Sequence, residues 1–159
     1  MFQVSVITVG TLKEDYLLKA LGEYKKRISS YAKVEEVNIK EERISNEDNQ
    51  AEIKSALQKE GEKIISAIPE GAYTVALCVE GKQLDSVALS SLLGEGIDKS
   101  GKLCFIIGSS HGLSDSVKKR ADYNLSISKL TFPHQLMRVI LYEILYRSFS
   151  IRAGKKYHK

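Results

Sequence analysis

The fold of this chain is decided by residues 103–112, LCFIIGSSHG. The first five residues of this stretch are continuously apolar, which is typical of a strand covered on both faces of its sheet. Gly108 ends the apolar run, and a short helix is expected from Ser114, after the loop. The stretch therefore predicts a buried strand whose carboxyl end opens into a glycine-bounded loop.

Four more strand-like segments alternate with helical ones along the 159 residues. The helical segments carry apolar residues three and four positions apart, whereas the strand segments are short and rich in β-branched residues. We predict strands at 2–9, 34–39, 72–79, 103–107 and 123–128, and helices over 17–31, 46–68, 85–98, from 114 and over 134–153. This order predicts an α/β fold with a mainly parallel sheet and helices on both faces. Residues 1–159 are expected to form a single domain, since no repeat or linker interrupts them.

Composition excludes several classes of protein. Apolar residues make up 43% of the chain and charged residues 28%, and no apolar stretch approaches the roughly 20 residues that span a bilayer. The first residues lack a basic segment before their apolar run and a cleavage site after it, so we expect a cytoplasmic protein without membrane attachment. Cys78 and Cys104 stand apart from other metal-ligating residues, which predicts buried thiols and no metal site.

Charge is distributed unevenly. Residues 118–159 hold 10 basic and 2 acidic side chains, a net charge of +8, whereas residues 1–117 hold 14 basic and 18 acidic ones, a net charge of −4. A basic carboxyl-terminal segment indicates a polyanionic partner, with RNA the leading candidate. A solvated basic surface is the alternative.

The last predicted helix is more apolar than one face against a small sheet requires. Its apolar residues surround the helix axis and are Leu136, Met137, Val139, Ile140, Leu141, Ile144 and Leu145. Burial on two sides is expected, and a second copy of the chain most simply covers the second side. The alternative is a helix that lies deep within its own domain.

The loop at residues 108–112 fits the G-x-S-x-G pattern of a nucleophile elbow. A serine hydrolase would use Ser110 as the nucleophile, Asp122 as the orienting acid and His134 or His158 as the base. A glycine at the carboxyl end of a strand also lets the backbone approach a ligand where α/β sheets bind them. The loop does not match G-x-G-x-x-G, so a dinucleotide fingerprint is unsupported.

Two further segments could contact a ligand. Residues 126–134, SISKLTFPH, join the last strand to the final helix, and the main-chain groups of such a loop could bind a flat heterocycle such as adenine. The alternative is a structural turn. Arg147 and the tail offer cations for phosphates, Tyr157 for base stacking and His158 for titration near neutral pH. A frayed basic tail is the alternative here.

Taken together, these stretches resemble the SPOUT-class methyltransferases that modify N3 of a pseudouridine in large-subunit ribosomal RNA. The resemblance covers essentially the whole chain and rests on residues 80–82, 105–108, 128–137, 145–147 and 157–158. It implies an α/β fold with a carboxyl-terminal trefoil knot and a homodimer packed partly through the last helix. Two residues depart from the family pattern, Ser109 in place of a second glycine and His111 in place of a smaller polar residue.

The resemblance also implies the ligands and the site. S-Adenosylmethionine would bind at the positions that match the family's cofactor site, which are Leu77, Gly108, Ile127, Ser128, Lys129, Leu130, Thr131 and Phe132. The substrate would be 23S ribosomal RNA on assembled ribosomes. Arg147 would polarise a base carbonyl or bind phosphate, Tyr157 would position the base and His158 would accept its proton. A serine hydrolase using Ser110 and a non-catalytic RNA-binding module stay open as alternatives.

Overall fold

A computed structural model of the chain describes residues 1–158. In this part of the chain five parallel strands form one sheet in the order β2-β1-β4-β3-β5. The strands are β1 (Phe2–Val9), β2 (Ala32–Ile39), β3 (Tyr73–Lys82), β4 (Lys102–Ile107) and β5 (Tyr123–Leu125), and the helices are α1 (Asp15–Ile28), α2 (Gln50–Ala67), α3 (Ser86–Ser100), α4 (Asp115–Arg120) and α5 (His134–Arg152). The predicted α/β class is confirmed. The trefoil knot stays a prediction from the resemblance.

Helices cover both faces of the sheet, as predicted. On one face, α1, α3 and α5 pack on Val4, Val6 and Phe105. On the other face, α2 and α4 pack on Ile7 and Ile106. Successive side chains of a strand point to opposite faces, so a continuously apolar strand such as β4 supplies both cores at once.

The strands β3 and β5 end at residues that differ from the sequence prediction. β3 extends to Lys82 and not to residue 79, because Gly81 lies so close to β5 that a Cβ there would stand 2.6 Å from the Asn124 carbonyl oxygen. β5 ends at Leu125 and not at residue 128. After Leu125 the chain turns, since the Ser126 hydroxyl donates to the Ser128 carbonyl oxygen at 3.1 Å.

The second helix starts later than predicted. α2 begins at Gln50 and not at residue 46, because Asn49 is its N-cap and accepts a hydrogen bond from Glu52 N at 3.1 Å. The preceding residues form a turn, in which Asn49 N donates to the Asn46 carbonyl oxygen. Asparagine side chains compete with the helix for backbone donors, and either asparagine could have been the cap.

The final helix lies between α1 and α3 and completes the first core. Its residues Leu141, Tyr142, Leu145 and Phe149 are buried. Arg138 is 6% exposed and donates from Nη2 to the Val9 and Gly10 carbonyl oxygens, at 3.2 and 2.6 Å. Part of the apolar surface of α5 is therefore used within its own domain. Within residues 1–158 no helix has the length and apolar character needed to cross a membrane.

Candidate functional site

A cavity of about 670 Å³ opens at the carboxyl ends of β3 and β4 and beside the end of β5. This is the edge at which open parallel sheets bind ligands, and the volume is in the usual range for small-molecule sites. The walls come from three loops and from the first turn of α5. The cavity is lined by Leu77, Cys78, Val79, Glu80, Ile107, Gly108, Ser109, Ser110, His111, Gly112, Leu113, Lys118, Leu125, Ile127, Ser128, Leu130, Thr131, Phe132, Pro133, His134 and Met137.

The loop at residues 108–112 forms one wall as a tight turn, closed by a hydrogen bond from Gly112 N to the Ser109 carbonyl oxygen at 2.9 Å. A Cβ on Gly108 would overlap the Gly112 carbonyl oxygen and stand 2.9 Å from Leu113 Cδ2. The absence of a side chain at Gly108 is therefore needed for the loop to fold back on itself. Gly108 also lines the cavity, and its direct contact with a ligand stays a prediction.

The loop that joins β5 to α5 forms the facing wall. Ile127, Ser128, Leu130, Thr131 and Phe132 line the cavity, whereas Lys129 is exposed and does not line it. Leu130 N donates to the Ser128 hydroxyl at 3.0 Å. In the part of the chain that the structure describes, the main-chain N–H groups of Ile127, Thr131 and Phe132 donate to no protein acceptor. These groups are free to bind a polar heterocycle.

The two residues that depart from the family pattern are both fixed in the first loop. Ser109 is buried, and His111 Nε2 lies 2.9 Å from Glu47 Oε2. Beside Ser109 lies Glu60, which is 3% exposed. Its Oε2 accepts from Glu42 N at 2.9 Å, and its Oε1 has no hydrogen-bond partner within residues 1–158. Burial raises the pKa of Glu60, partly opposed by that N–H donor. Charged and polar groups of α2 and its preceding loop thus support the cavity wall.

The residues of the hydrolase alternative are not brought together. Asp122 accepts from Thr74 N through Oδ2 at 2.7 Å and donates from its own N to the Thr74 carbonyl oxygen, which ties β3 to the start of β5. His158 contacts Arg147 and is not among the residues around the cavity. Ser110 and His134 both line the cavity, but the acid of that alternative, Asp122, is bonded to Thr74 instead.

A second group of candidate residues lies farther along α5 and in the tail. We call Glu143, Arg147, Tyr157 and His158 the tail cluster. The Arg147 Nε and Nη2 donate to Glu143 Oε1 at 2.9 and 2.6 Å, and the Tyr157 hydroxyl donates to Glu143 Oε2 at 2.9 Å. Arg147 Nη1 lies 3.3 Å from His158 Nδ1, and its Cζ lies 4.7 Å from the centre of the Tyr157 ring. The structure therefore brings together all three predicted catalytic residues.

Glu143 was missed by sequence reasoning, although a glutamate four residues before an arginine on a helix is a signal for an ion pair. The contacts of helix α1 with this region were also missed. The Tyr146 ring stands edge-on to Tyr157 at 4.7 Å between ring centres, and the Arg27 guanidinium lies over the Tyr146 ring at 5.8 Å. Burial, then the nearby Glu143 carboxylate, raises the pKa of Tyr24 to about 12. These contacts connect α1 to the tail cluster.

The cavity and the tail cluster lie apart on α5. Met137 lines the cavity, and Arg147 follows ten residues later, which is about 15 Å along the helix axis. A smaller cavity of about 190 Å³ is lined by Arg147 and Ile144, and it shares Leu125 and Ile127 with the larger one. Within one chain, Leu125 and Ile127 therefore lie between the larger cavity and the smaller one at Arg147.

The basic segment offers fewer free cations than its charge indicates. Lys118 pairs with Glu80, and Arg152 Nη2 lies 2.7 Å from Asp98 Oδ1. Arg138 is buried on the end of β1, and Arg147 is held by Glu143. The exposed cations outside these pairs include Lys119, Arg120, Lys129 and Lys156. The count of charges in sequence therefore overestimates the charge available to a polyanion.

The cysteines lie in the sheet, and the two differ in exposure. Cys104 is fully buried in β4, and burial raises the pKa of its thiol to about 12. Cys78 is only half-buried and lines the cavity, so the expectation of two buried thiols is wrong for Cys78. Among residues 1–158, no group of three or more His, Cys, Asp or Glu side chains is placed to hold a metal ion.

The chain is similar in sequence to known methyltransferases. The family model described as "Predicted SPOUT methyltransferase" matches residues 2–158. Proteins named "Ribosomal RNA large subunit methyltransferase H" are 50% identical in Caldicellulosiruptor bescii, 44% in Bacillus pumilus and 43% in Clostridioides difficile, each over 98% of this chain and 99% of the relative. A crystal structure of the SpoU methyltransferase AviRb from Streptomyces viridochromogenes with AdoMet aligns at a TM-score of 0.44 and 12% identity, covering 96% of this chain and 58% of that one. The curated relatives support neither a hydrolase nor a non-catalytic module.

Proposed function

Because this chain belongs to the SPOUT methyltransferase family, we propose that it transfers a methyl group from S-adenosylmethionine to N3 of a pseudouridine in 23S ribosomal RNA. The observation that carries the proposal is the pairing of two features. One is a cavity of about 670 Å³ at the carboxyl edge of the sheet, and the other is a cationic and aromatic tail cluster on the same helix. The names of the full-length relatives point to the same substrate, the RNA of the large ribosomal subunit.

The cavity fits S-adenosylmethionine by volume and by the groups that it presents. Its apolar walls include Leu77, Ile107 and Ile127, which suit an adenine ring and the carbon chain of the donor. The free N–H groups of Ile127, Thr131 and Phe132 suit the polar edge of adenine. Bound there, the donor would supply an electrophilic sulfonium methyl group. The chain's own contribution at this site is to bind and orient it, which supplies a large share of catalysis in transfer reactions.

The tail cluster would hold the target base. Arg147 keeps Nη1 outside its pair with Glu143, and the Tyr157 ring lies beneath the guanidinium. A guanidinium only donates, so in the neutral imidazole His158 Nδ1 accepts from Arg147 and the ring proton is on Nε2. In this arrangement Nε2 donates to the base, and His158 can accept the N3 proton only after Nδ1 leaves Arg147. We assign to the free cations Lys119, Arg120 and Lys156 the role of phosphate contacts.

We further propose a homodimer that works in the cytoplasm, where ribosomes are assembled. The outer side of α5 carries Leu136, 37% exposed, followed by the half-buried Ile140 and Ile144 at four-residue spacing. A second copy would cover this stripe. The separation of about 15 Å between the cavity and the tail cluster along α5 also favours a site that combines residues of two copies, because a methyl group moves only a few ångströms in transfer.

The test of the function is methyl transfer from labelled S-adenosylmethionine to assembled ribosomes, separate large subunits and naked ribosomal RNA, with the modified nucleotide mapped. We expect one methyl group on N3 of a pseudouridine in the large subunit, with ribosomes the best substrate. The matched control is Ser110→Ala, which should retain most activity because Asp122, the acid of the hydrolase alternative, is bonded to Thr74 and not to a histidine beside Ser110. A loss above a hundredfold in that variant would restore the nucleophile hypothesis.

The test of the dimer is complementation between two inactive variants. A Gly108→Val chain should bind S-adenosylmethionine poorly, and a chain truncated after residue 154 should lack Tyr157 and His158 of the tail cluster. If the site combines two copies, mixing the two chains under exchange should restore up to about a quarter of the wild-type rate, because half of the molecules are mixed and each carries one intact site. Sedimentation of the wild type as a monomer at micromolar concentration would contradict the dimer.

A further inference from the structure

Glu143 is one of two acidic residues in the basic segment 118–159, and the other, Asp122, is used in joining β3 to β5. An acidic side chain among cations that meet RNA opposes the binding of a polyanion. Glu143 lies on α5 with a quarter of its side chain exposed, beside the residues assigned to the target base. Glu143 should therefore have a role that outweighs the RNA affinity that its charge costs.

Both carboxylate oxygens of Glu143 are occupied by different partners. Oε1 accepts from two nitrogens of Arg147, at 2.6 and 2.9 Å, and Oε2 accepts from the Tyr157 hydroxyl at 2.9 Å. Because two donors of one guanidinium converge on Oε1, this oxygen holds one edge of the Arg147 side chain in place. The bond to Tyr157 fixes the ring that the guanidinium covers. One carboxylate thus determines the relative position of a helix residue and a tail residue.

The tail has few other anchors. Lys155 N donates to the Ser150 carbonyl oxygen, the Lys155 ammonium lies 4.7 Å from the centre of the Tyr31 ring, and Tyr157 packs edge-on against Tyr146. Within residues 1–158, His158 is bonded to Arg147, which Glu143 holds. Losing the Glu143 contacts would release Tyr157 and His158 together.

We propose that Glu143 is the positioning residue that holds Arg147, Tyr157 and, through Arg147, His158 in one arrangement for the target base. This inference rests on the proposed function of the tail cluster. Glu143 does not contact the base. Glu143 neutralises part of the Arg147 charge, which lowers the affinity of the protein for RNA. Its bonds also arrange the tail residues before RNA binds.

The test compares Glu143→Gln with Asp98→Asn in the full-length protein. Glutamine keeps one acceptor oxygen, but its NH₂ group meets a donor of Arg147 or Tyr157 and the charge is lost. Asp98 is the matched control, because it also pairs with an arginine of α5, Arg152, at 2.7 Å but contacts no residue of the tail cluster. Glu143→Asp is a second variant, whose shorter side chain cannot reach both partners at once.

The first readout is amide hydrogen exchange over residues 148–158, which does not depend on activity. We expect faster exchange at Lys155 by about tenfold or more in Glu143→Gln, a smaller change in Glu143→Asp and none in Asp98→Asn. S-Adenosylmethionine affinity and Tm should match the wild type in all three. Unchanged exchange in Glu143→Gln overturns the proposal, even if no RNA substrate supports methyl transfer and the proposed function itself fails.

The second readout is the division between kcat and KM for ribosomal RNA. We expect kcat to fall roughly 10- to 100-fold in Glu143→Gln while KM stays equal or falls, because an acid has been removed from a surface that meets a polyanion. A raised KM with an unchanged kcat would show that Glu143 serves binding alone and would overturn the positioning role. Asp98→Asn should change neither constant.

Discussion

The cavity and the tail cluster are formed by different kinds of chemical groups. The cavity lies at the ends of three hydrogen-bonded strands, and its walls are mostly apolar side chains, glycines and main-chain groups. The tail cluster consists of side chains joined by one carboxylate on the surface of α5. Shape governs the first region and charge governs the second. Substitutions that change volume should therefore act on cofactor binding, and those that change charge should act on RNA and turnover.

The strongest test of this difference is removal of residues 155–159. Cofactor affinity should stay within about twofold, because none of the tail residues that the structure describes, 155–158, lines the cavity. Methyl transfer should fall by roughly 10²–10⁴-fold, the range for loss of groups that orient or deprotonate a reactant. Calorimetry with S-adenosylmethionine and a labelled-methyl assay measure the two quantities. Normal transfer by the truncated chain would identify the tail as a frayed end.

A smaller effect is expected from Gly108→Val, which tests the cavity by volume. The new side chain would overlap the Gly112 carbonyl oxygen and displace the loop. Overpacking of this kind costs about 1–3 kcal/mol, so affinity for S-adenosylmethionine should fall roughly 10- to 100-fold. Gly22→Ala is the control, since a Cβ there meets nothing within 4 Å; it should leave affinity unchanged and stabilise α1 by up to about 1 kcal/mol. Wild-type affinity in Gly108→Val would remove this cavity as the cofactor site.

The stability of the protein should depend on pH through Glu60, the buried acid beside the cavity wall. Burial raises the pKa of Glu60, so the folded chain holds this proton to higher pH than the unfolded chain does. The stability that this provides is complete below the ordinary pKa of about 4.5 and is lost as pH rises through the raised folded value. Glu60→Gln mimics the protonated form and should raise Tm at pH 8 but not at pH 4. The rise should be about 2–4 °C for each kcal/mol by which the substitution increases the free energy of unfolding.

The exposed Glu62 on the same helix provides the control for that titration. Glu62→Gln removes the same charge from α2 without relieving any burial, so its Tm should follow the wild type at both pH values. A stabilisation of Glu60→Gln that is equal at pH 4 and pH 8 would contradict the assignment of the cost to a buried charge.

The smallest effect is expected at a single free lysine. Lys156 is exposed, so Lys156→Ala should reduce the log–log slope of RNA affinity against salt by about one. Lys155→Ala should reduce the slope less, because the Lys155 ammonium already lies over the Tyr31 ring. Equal slopes for the two variants would show that this ring contact does not compete with phosphate. Binding to ribosomal RNA fragments at several salt concentrations measures the slopes.

Sequence periodicity predicted the order of elements and the burial of β4, because a continuously apolar strand and amphipathic helices are local patterns. It misplaced the end of β5 and the start of α2, where a serine and an asparagine side chain redirect the backbone. It could not show that Arg138 is structural, since its acceptors, the Val9 and Gly10 carbonyl oxygens, lie more than a hundred residues away. Basic charge near the tail was visible, but the acid that arranges it was not.

The position of α5 has a consequence for how the chain acquires its structure during synthesis. Helix α5 fills the space between α1 and α3 and hydrogen-bonds through Arg138 to the end of β1, the strand made first. Until residues 134–152 have left the ribosomal tunnel, the core beside α1 and α3 lacks Leu141, Leu145 and Phe149. Pairing so distant in sequence slows folding. The nascent chain must therefore keep an exposed apolar sheet face until translation reaches α5, and we expect a chaperone that binds apolar segments to cover that face in the meantime.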